Sequence, residues 1–179
     1  RLQRIAAVLA RECREGFAFS LDGNESFRDP AGFAAQLRAL LAEPALRSCW
    51  PHLLFVEQPL HREVALTTAA DWAGWTGRPP IIIDESDATI DSLPMALALG
   101  YAGTSHKNCK GVFKGVAHAC LLMQLRAAGQ ATMLSGEDLS NVGPVALTQD
   151  LAVQAALGVT SVERNGHHYF AGLAQFPPV

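Results

Sequence analysis

Short strand-like runs, each closing on a charged residue, alternate with helical patterns along most of this chain. FAFSLD alternates Phe17, Phe19 and Leu21 and ends at Asp22; LLFVE ends at Glu57, IIID at Asp84, TSHK at Lys107 and ATMLSGE at Glu137. VTSVER (159–164) reads as a last strand. Between these runs lie helical segments. In AGFAAQLRALLAE, Phe33, Leu37, Leu40 and Leu41 share one face, and similar patterns cover 62–74, 92–100, 115–129 and 144–158. A leading helix carries Ile5, Val8 and Leu9 and stops at Gly16. Successive charged strand ends are 23 to 35 residues apart. Apolar strands joined by helices imply an α/β fold with a parallel sheet and right-handed crossovers. Units of this length suit a (β/α)₈ barrel or a doubly wound sheet. Neither a GxGxxG motif nor a P-loop is present, and the regular charge at strand ends favours the barrel.

Composition narrows the partners. The 179 residues are 49% hydrophobic and 17% charged, with a net charge of −3. That suffices for the core of one domain over residues 1–179. The absence of a basic stripe argues against nucleic acid, and apolar stretches such as 119–123 are too short for a membrane span. Cys13, Cys49, Cys109 and Cys120 have no CxxC spacing and read as reduced thiols of a cytoplasmic protein. Because Arg1 falls inside a helical pattern, the expectation is a fragment of a longer polypeptide.

In a barrel the strand C-termini converge on one mouth, so Asp22, Glu57 and Asp84 would meet there. Three carboxylates repel one another unless a cation lies between them. Oxygen ligands on separate strands, leaving room for water and substrate, suit Mg²⁺. Any one acid alone could as well cap a helix or sit in solvent; three in succession, in DGN, EQP and DES, form a more specific pattern. With the lysine segment that follows, these motifs resemble the barrel of the enolase superfamily, in its mandelate racemase / muconate lactonizing enzyme branch.

The resemblance implies a partial (β/α)₈ TIM-type C-terminal barrel domain, strands three to eight, without the first two strands or the N-terminal capping domain. It implies Asp22, Glu57 and Asp84 as Mg²⁺ ligands, with Glu85 competing for the third place, and Asn24 as a substrate-contacting or supporting residue. It implies abstraction of the α-proton of a small carboxylate substrate to give a metal-stabilised enolate, in a racemase, epimerase, dehydratase or cycloisomerase reaction. The missing N-terminal part of the same chain and a homo-oligomer are the expected partners. The acid/base lysine that the family carries on its second strand has no counterpart here.

TSHKNCKGVFK (104–114) holds three lysines. On an extended strand Ser105, Lys107 and Cys109 share one face, and His106 and Asn108 the other. By position Lys107 matches the family's proton-transferring lysine. A lysine is an effective base only when its pKa falls below its usual value of about 10.4. Lys110 and Lys114 are expected as solvated side chains of the following loop and helix. Glu137 and Asp138, closing the next strand, are candidates for supporting the lysine and for binding substrate. His106 faces away from Lys107, and His167–His168 lacks the spacing of a zinc site. Two other readings compete: a Schiff-base lysine aldolase on the same kind of barrel, and a non-enzymatic Mg²⁺-binding barrel subunit.

Overall fold

The computed structural model describes residues 1–13, 16–68, 72, 75–139, 141–166, 169, 171, 174 and 177. His167 and His168 lie outside the described residues. In chain order the elements are α1 (Leu2–Glu12), β1 (Phe19–Asp22), α2 (Pro30–Ala42), β2 (Leu53–Glu57), α3 (Arg62–Ala65), β3 (Ile81–Ile83), α4 (Ser92–Ala98), β4 (Gly103–His106), α5 (Val112–Ala127), β5 (Met133–Glu137), α6 (Val145–Ala156) and β6 (Val162–Glu163). The strand–helix alternation read from the sequence is therefore present. Two compact units divide the chain: residues 1–86 with 94–102, and residues 87–93 with 103–179. Among the described residues no helix is long and apolar enough to cross a membrane.

In the first unit β1, β2 and β3 run parallel in that order, with Asp22 opposite Glu57 and Glu57 opposite Ile82. Ile81, Ile82 and Ile83 are all fully buried, which the unbroken apolar run requires of a strand covered on both faces. Helix α2 starts where Asp29 accepts from the amides of Ala31 (3.1 Å) and Gly32 (2.9 Å), with Pro30 at its first position. Its apolar face brings Phe33 and Leu37 into the core with Val56, Leu60, Trp72 and Tyr101. Edge-to-face aromatic contacts run from Phe27 to Phe33 (5.4 Å), to Trp72 (5.4 Å) and to Tyr101 (5.6 Å). The Tyr101 hydroxyl donates to the Ala65 carbonyl (3.1 Å), and burial pushes its pKa well above the usual phenol range.

The helix expected over 62–74 is realised, among the described residues, as the single turn of α3. The Thr67 hydroxyl donates back to the carbonyls of Glu63 (3.1 Å) and Val64 (3.4 Å). That competition with the backbone, beside a second β-branched residue, Thr68, weakens helix continuation.

In the second unit β4, β5 and β6 are again parallel and sequential, with Ser105 opposite Ser135 and Glu137 opposite Glu163. Gly103 opens β4 because a Cβ there would fall 1.7 Å from the Met133 carbonyl oxygen. Helix α5 seats Gly115 against His106, where a Cβ would come within 2.3 Å of the ring nitrogen. The helix therefore packs closely on the face of β4 that carries His106.

Phe33 links the aromatic chain to α2, so Phe33→Ala should destabilise the protein by about 3–5 kcal/mol. Urea unfolding followed by tryptophan fluorescence measures this.

Candidate active site

Each strand end of the first unit carries an acid, and the backbone dictates how they are presented. Parallel pairing sets Asp22 level with Glu57. Beyond the strands two loops are joined: the amides of Gly23, Glu25 and Phe27 donate to the carbonyls of Glu57 (2.8 Å), Gln58 (2.8 Å) and Pro59 (3.0 Å). Gly23 permits this approach, since a Cβ there would lie 2.5 Å from the Pro59 Cα. Glu57 and Asp84 are buried, and each has a carboxylate oxygen within 4.8 Å of the other's. Asp22 is exposed; its carboxylate accepts from the Asn24 amide (2.8 Å) and the Asn24 side-chain Nδ2 (3.0 Å). The structure thus brings Glu57 and Asp84 together and turns Asp22 toward Asn24. Of the competing pair, Asp84 is buried and Glu85 half-buried.

Gln58, given no role in the sequence reading, braces these acids. It is fully buried at φ +30°, a left-handed conformation uncommon outside glycine. Its Nε2 donates to the Leu60 carbonyl (2.6 Å) and the Ser86 hydroxyl (2.7 Å), while its Oε1 accepts from the amides of Asp84 (2.7 Å) and Ser86 (3.2 Å). Every hydrogen-bonding position of the amide group is used. The end of β2 is thereby fastened to the turn carrying Asp84. A glutamine between Glu57 and Pro59 at the close of an apolar strand was the available signal.

A second fastening lies at the rim. Glu25 accepts from the Arg62 amide (2.7 Å), Nε (2.8 Å) and Nη2 (2.7 Å). This holds two successive left-handed residues, Asn24 (φ 44°) and Glu25 (φ 61°). The side-chain hydrogen bonds from Arg62 hold the Glu25 carboxyl at a pKa of about 2, below its ordinary 4.5.

The second unit presents a lysine. Lys107 directly follows β4 in extended conformation (φ −130°, ψ 133°) and is buried. Its Nζ lies 2.5 Å from Glu137 Oε2, at the end of the neighbouring β5. The other oxygen of Glu137 accepts from Asn165 Nδ2 (3.1 Å). Asp138 is buried beside Arg164 Nη1 (3.5 Å), with the Asn165 amide donating to its Oδ1 (3.4 Å). His106 points the other way, against α5, and bonds Asn108 Oδ1 through Nε2 (3.0 Å). Burial lowers its pKa, with the Asn108 contact opposing.

The expectation of a solvated Lys114 does not hold. Its Nζ pairs with Asp87 Oδ1 (2.9 Å) and with the Asp87 carbonyl, and its side chain is only 11% exposed. Thr104 Oγ1 donates to Asp87 Oδ2 (3.0 Å), and His118 Nδ1 lies 3.6 Å from it. Burial alone would raise the Asp87 carboxyl; the neighbouring His118 and Lys114 outweigh it and hold the pKa below the usual value. Within TSHKNCKGVFK, Lys107 pairs with a strand-end acid of this unit, and Lys114 serves a buried structural pair.

No family model and no curated protein matches the chain. Solved structures do. A mandelate racemase/muconate lactonizing protein from Herpetosiphon aurantiacus superposes with a TM-score of 0.62 at 20% identity over 85% of this chain and 40% of its own. An unknown member of the enolase superfamily from Enterococcus faecalis gives 0.66 at 17%, over 92% and 41%. Muconate lactonizing enzyme from Pseudomonas putida gives 0.59 at 17%, over 94% and 44%. The chain thus spans about two-fifths of the length of these proteins, and at such identities the likeness is one of fold.

Since the folded pKa of Glu25 is depressed, its contribution to stability is complete above about pH 4.5 and is lost as pH falls through about 2. Glu25→Gln should lower Tm at neutral pH and flatten the Tm–pH curve across that window, as calorimetry would show. The strand-end motifs of the sequence and the superposition agree in one architecture: the chain has the α/β fold of part of a TIM-type barrel, the barrel of the mandelate racemase / muconate lactonizing enzyme proteins of the enolase superfamily.

Proposed function

We propose that this chain supplies the catalytic strand ends of a Mg²⁺-dependent enzyme that abstracts the α-proton of a carboxylate substrate, in a racemase, epimerase, dehydratase or cycloisomerase reaction. The observation that carries the reading is Lys107, a buried lysine at a strand end, paired with Glu137 on the next strand. In its neutral form a lysine so placed can take a proton from a carbon acid once the substrate is in place. Glu137 keeps its amine in one position and supplies a charge partner when it is protonated.

The first unit has donors suited to the metal. Glu57 and Asp84 are buried carboxylates with oxygens close together, and oxygen donors of this kind suit Mg²⁺. With Asp22 they would hold the ion. When bound, Mg²⁺ supplies positive charge that offsets the negative charge left on the substrate carboxylate as the α-proton departs. Asn24 keeps the Asp22 carboxylate oriented, and Gln58 keeps Glu57 and Asp84 in register. Catalytic groups of (β/α)₈ barrels come from the C-terminal ends of several strands. The P. putida protein named above is a lactonizing enzyme, and the H. aurantiacus protein a mandelate racemase/muconate lactonizing protein; reactions of that breadth agree with leaving the step after proton removal open.

In the full-length protein Lys107→Ala should lower α-proton exchange about 10²–10⁴-fold while Mg²⁺ binding is retained. Proton–deuterium exchange followed by NMR over a panel of carboxylates measures the first, and titration calorimetry the second. Asp84→Asn should weaken Mg²⁺ binding in the same calorimetry. Wild-type exchange in Lys107→Ala would refute the role given to the lysine. Trapping by borohydride in the presence of a carbonyl substrate, with activity indifferent to EDTA, would point instead to Schiff-base chemistry.

A further inference from the structure

We propose that Asn165 is a positioning residue that locks Glu137 onto Lys107, and that Arg164, anchored on Asp150, holds Asn165 in place; this rests on Lys107 being the proton-transferring group. A glutamate side chain has several rotatable bonds, so one ion pair does not fix its carboxylate. Here the two oxygens of Glu137 are divided between two partners: Oε2 meets Lys107 Nζ at 2.5 Å and Oε1 accepts from Asn165 Nδ2 at 3.1 Å. An acid or base oriented by a third group is a recurrent feature of activated side chains.

The orienting group is itself restrained. Parallel pairing of β5 with β6 puts Glu137 opposite Glu163, and the Asp138 amide donates to the Glu163 carbonyl (3.1 Å). The chain leaving β6 therefore passes beside the end of β5. Arg164 then reaches back through Nη1 to Asp150 Oδ2 (2.5 Å) on α6 and to Asp138 Oδ2 (3.5 Å). Asp150 is fully buried, and a buried carboxylate left without its cation is strongly destabilising. Breaking the Arg164 contact is therefore costly, which makes it a firm anchor. Asn165, next in sequence, donates its amide to Asp138 Oδ1 (3.4 Å) and its side chain to Glu137. One dipeptide after the last strand thus grips both acids that close β5.

The test uses the full-length protein and two readouts. The first is the ¹⁵Nζ–¹H correlation of the Lys107 ammonium, assigned by its loss in Lys107→Arg; an ammonium held in a buried ion pair exchanges its protons slowly. The second is α-proton exchange, separated into kcat and KM. Asn165→Leu keeps the size and removes the donor, and Asn165→Ser is a smaller, polar replacement should the leucine disturb folding. Either should broaden or shift the Lys107 signal and lower kcat about 10–100-fold, the range seen when a group supporting a reactive ligand is removed, with KM little changed. Adding Asn165→Leu to Glu137→Gln should cost nothing more, because the asparagine acts through the glutamate. A Lys107 signal unchanged by both Asn165 variants but abolished by Glu137→Gln overturns the proposal, as does a wild-type Lys107 signal like that of an exposed lysine. An altered signal in a protein whose wild type exchanges no α-proton upholds the clamp and removes the proton-transfer reading beneath it.

Discussion

A strand with no exposed side chain must have both of its edges hydrogen-bonded, and much of the first unit is arranged to meet that demand for Ile81–Ile83. These three residues are fully buried. On one edge the amides of Val56 and Gln58 donate to the carbonyls of Pro80 (2.8 Å) and Ile82 (2.9 Å); on the other the Ala102 amide donates to the Ile81 carbonyl (2.7 Å). Unpaired backbone groups at this depth would each carry a desolvation penalty. Parallel pairing then follows from helical connections, and it brings the end of β1 level with the end of β2. The acids at these ends are consequences of that pairing: Asp84 can be presented where it is because the apolar strand before it ends there.

Carboxylates at a buried edge are costly, and the structure offsets the cost with neutral groups as well as with charge. Gln58 spends all four of its hydrogen bonds tying the Glu57 strand end to the Asp84 turn. Its left-handed backbone is the strain accepted for this, sustained by a side chain bonded at every position. At the rim Arg62 does the same for Asn24 and Glu25. The second unit uses ion pairs instead. Lys107 with Glu137, Lys114 with Asp87 and Arg164 with Asp150 are each largely withdrawn from water on at least one side. A pair of this kind confers geometry more than stability, since the loss of one partner leaves the other buried and uncompensated. That suits a segment whose role is to hold one amine in one place.

Much of this organisation was legible in the residues. Hydrophobic period marked the strands and most helices, and the charged strand ends Asp22, Glu57, Asp84, Lys107 and Glu137 stood out because each interrupts an otherwise apolar or alternating run. Face alternation separated Lys107 from His106, and the packing of Gly115 on the His106 ring bears that out. Three features were not legible. Lys114 looked solvated because it sits in the first turn of a helix; its partner, Asp87, lies 27 residues away in sequence. Gln58 looked like part of a motif without a task of its own, because its partners are on the next turn. Asn165 lay beyond the last strand, in a segment with no periodicity to read. In each case the missing information was a long-range hydrogen bond.

By itself the sequence determined the class of fold and the order of its parts, because burial of alternating or continuous apolar runs is a local property repeated along the chain. It also determined which side chains stand at strand ends. The tertiary structure alone decided how those side chains are held: that Asp22 turns to Asn24, that Glu57 and Asp84 share a glutamine brace, and that Glu137 divides its two oxygens between Lys107 and Asn165. The reason is one of range. Period and propensity act over a few residues, whereas the orientation of a polar group in a desolvated site is fixed by whichever donors and acceptors the chain brings within about 3 Å of it, whatever their distance in sequence.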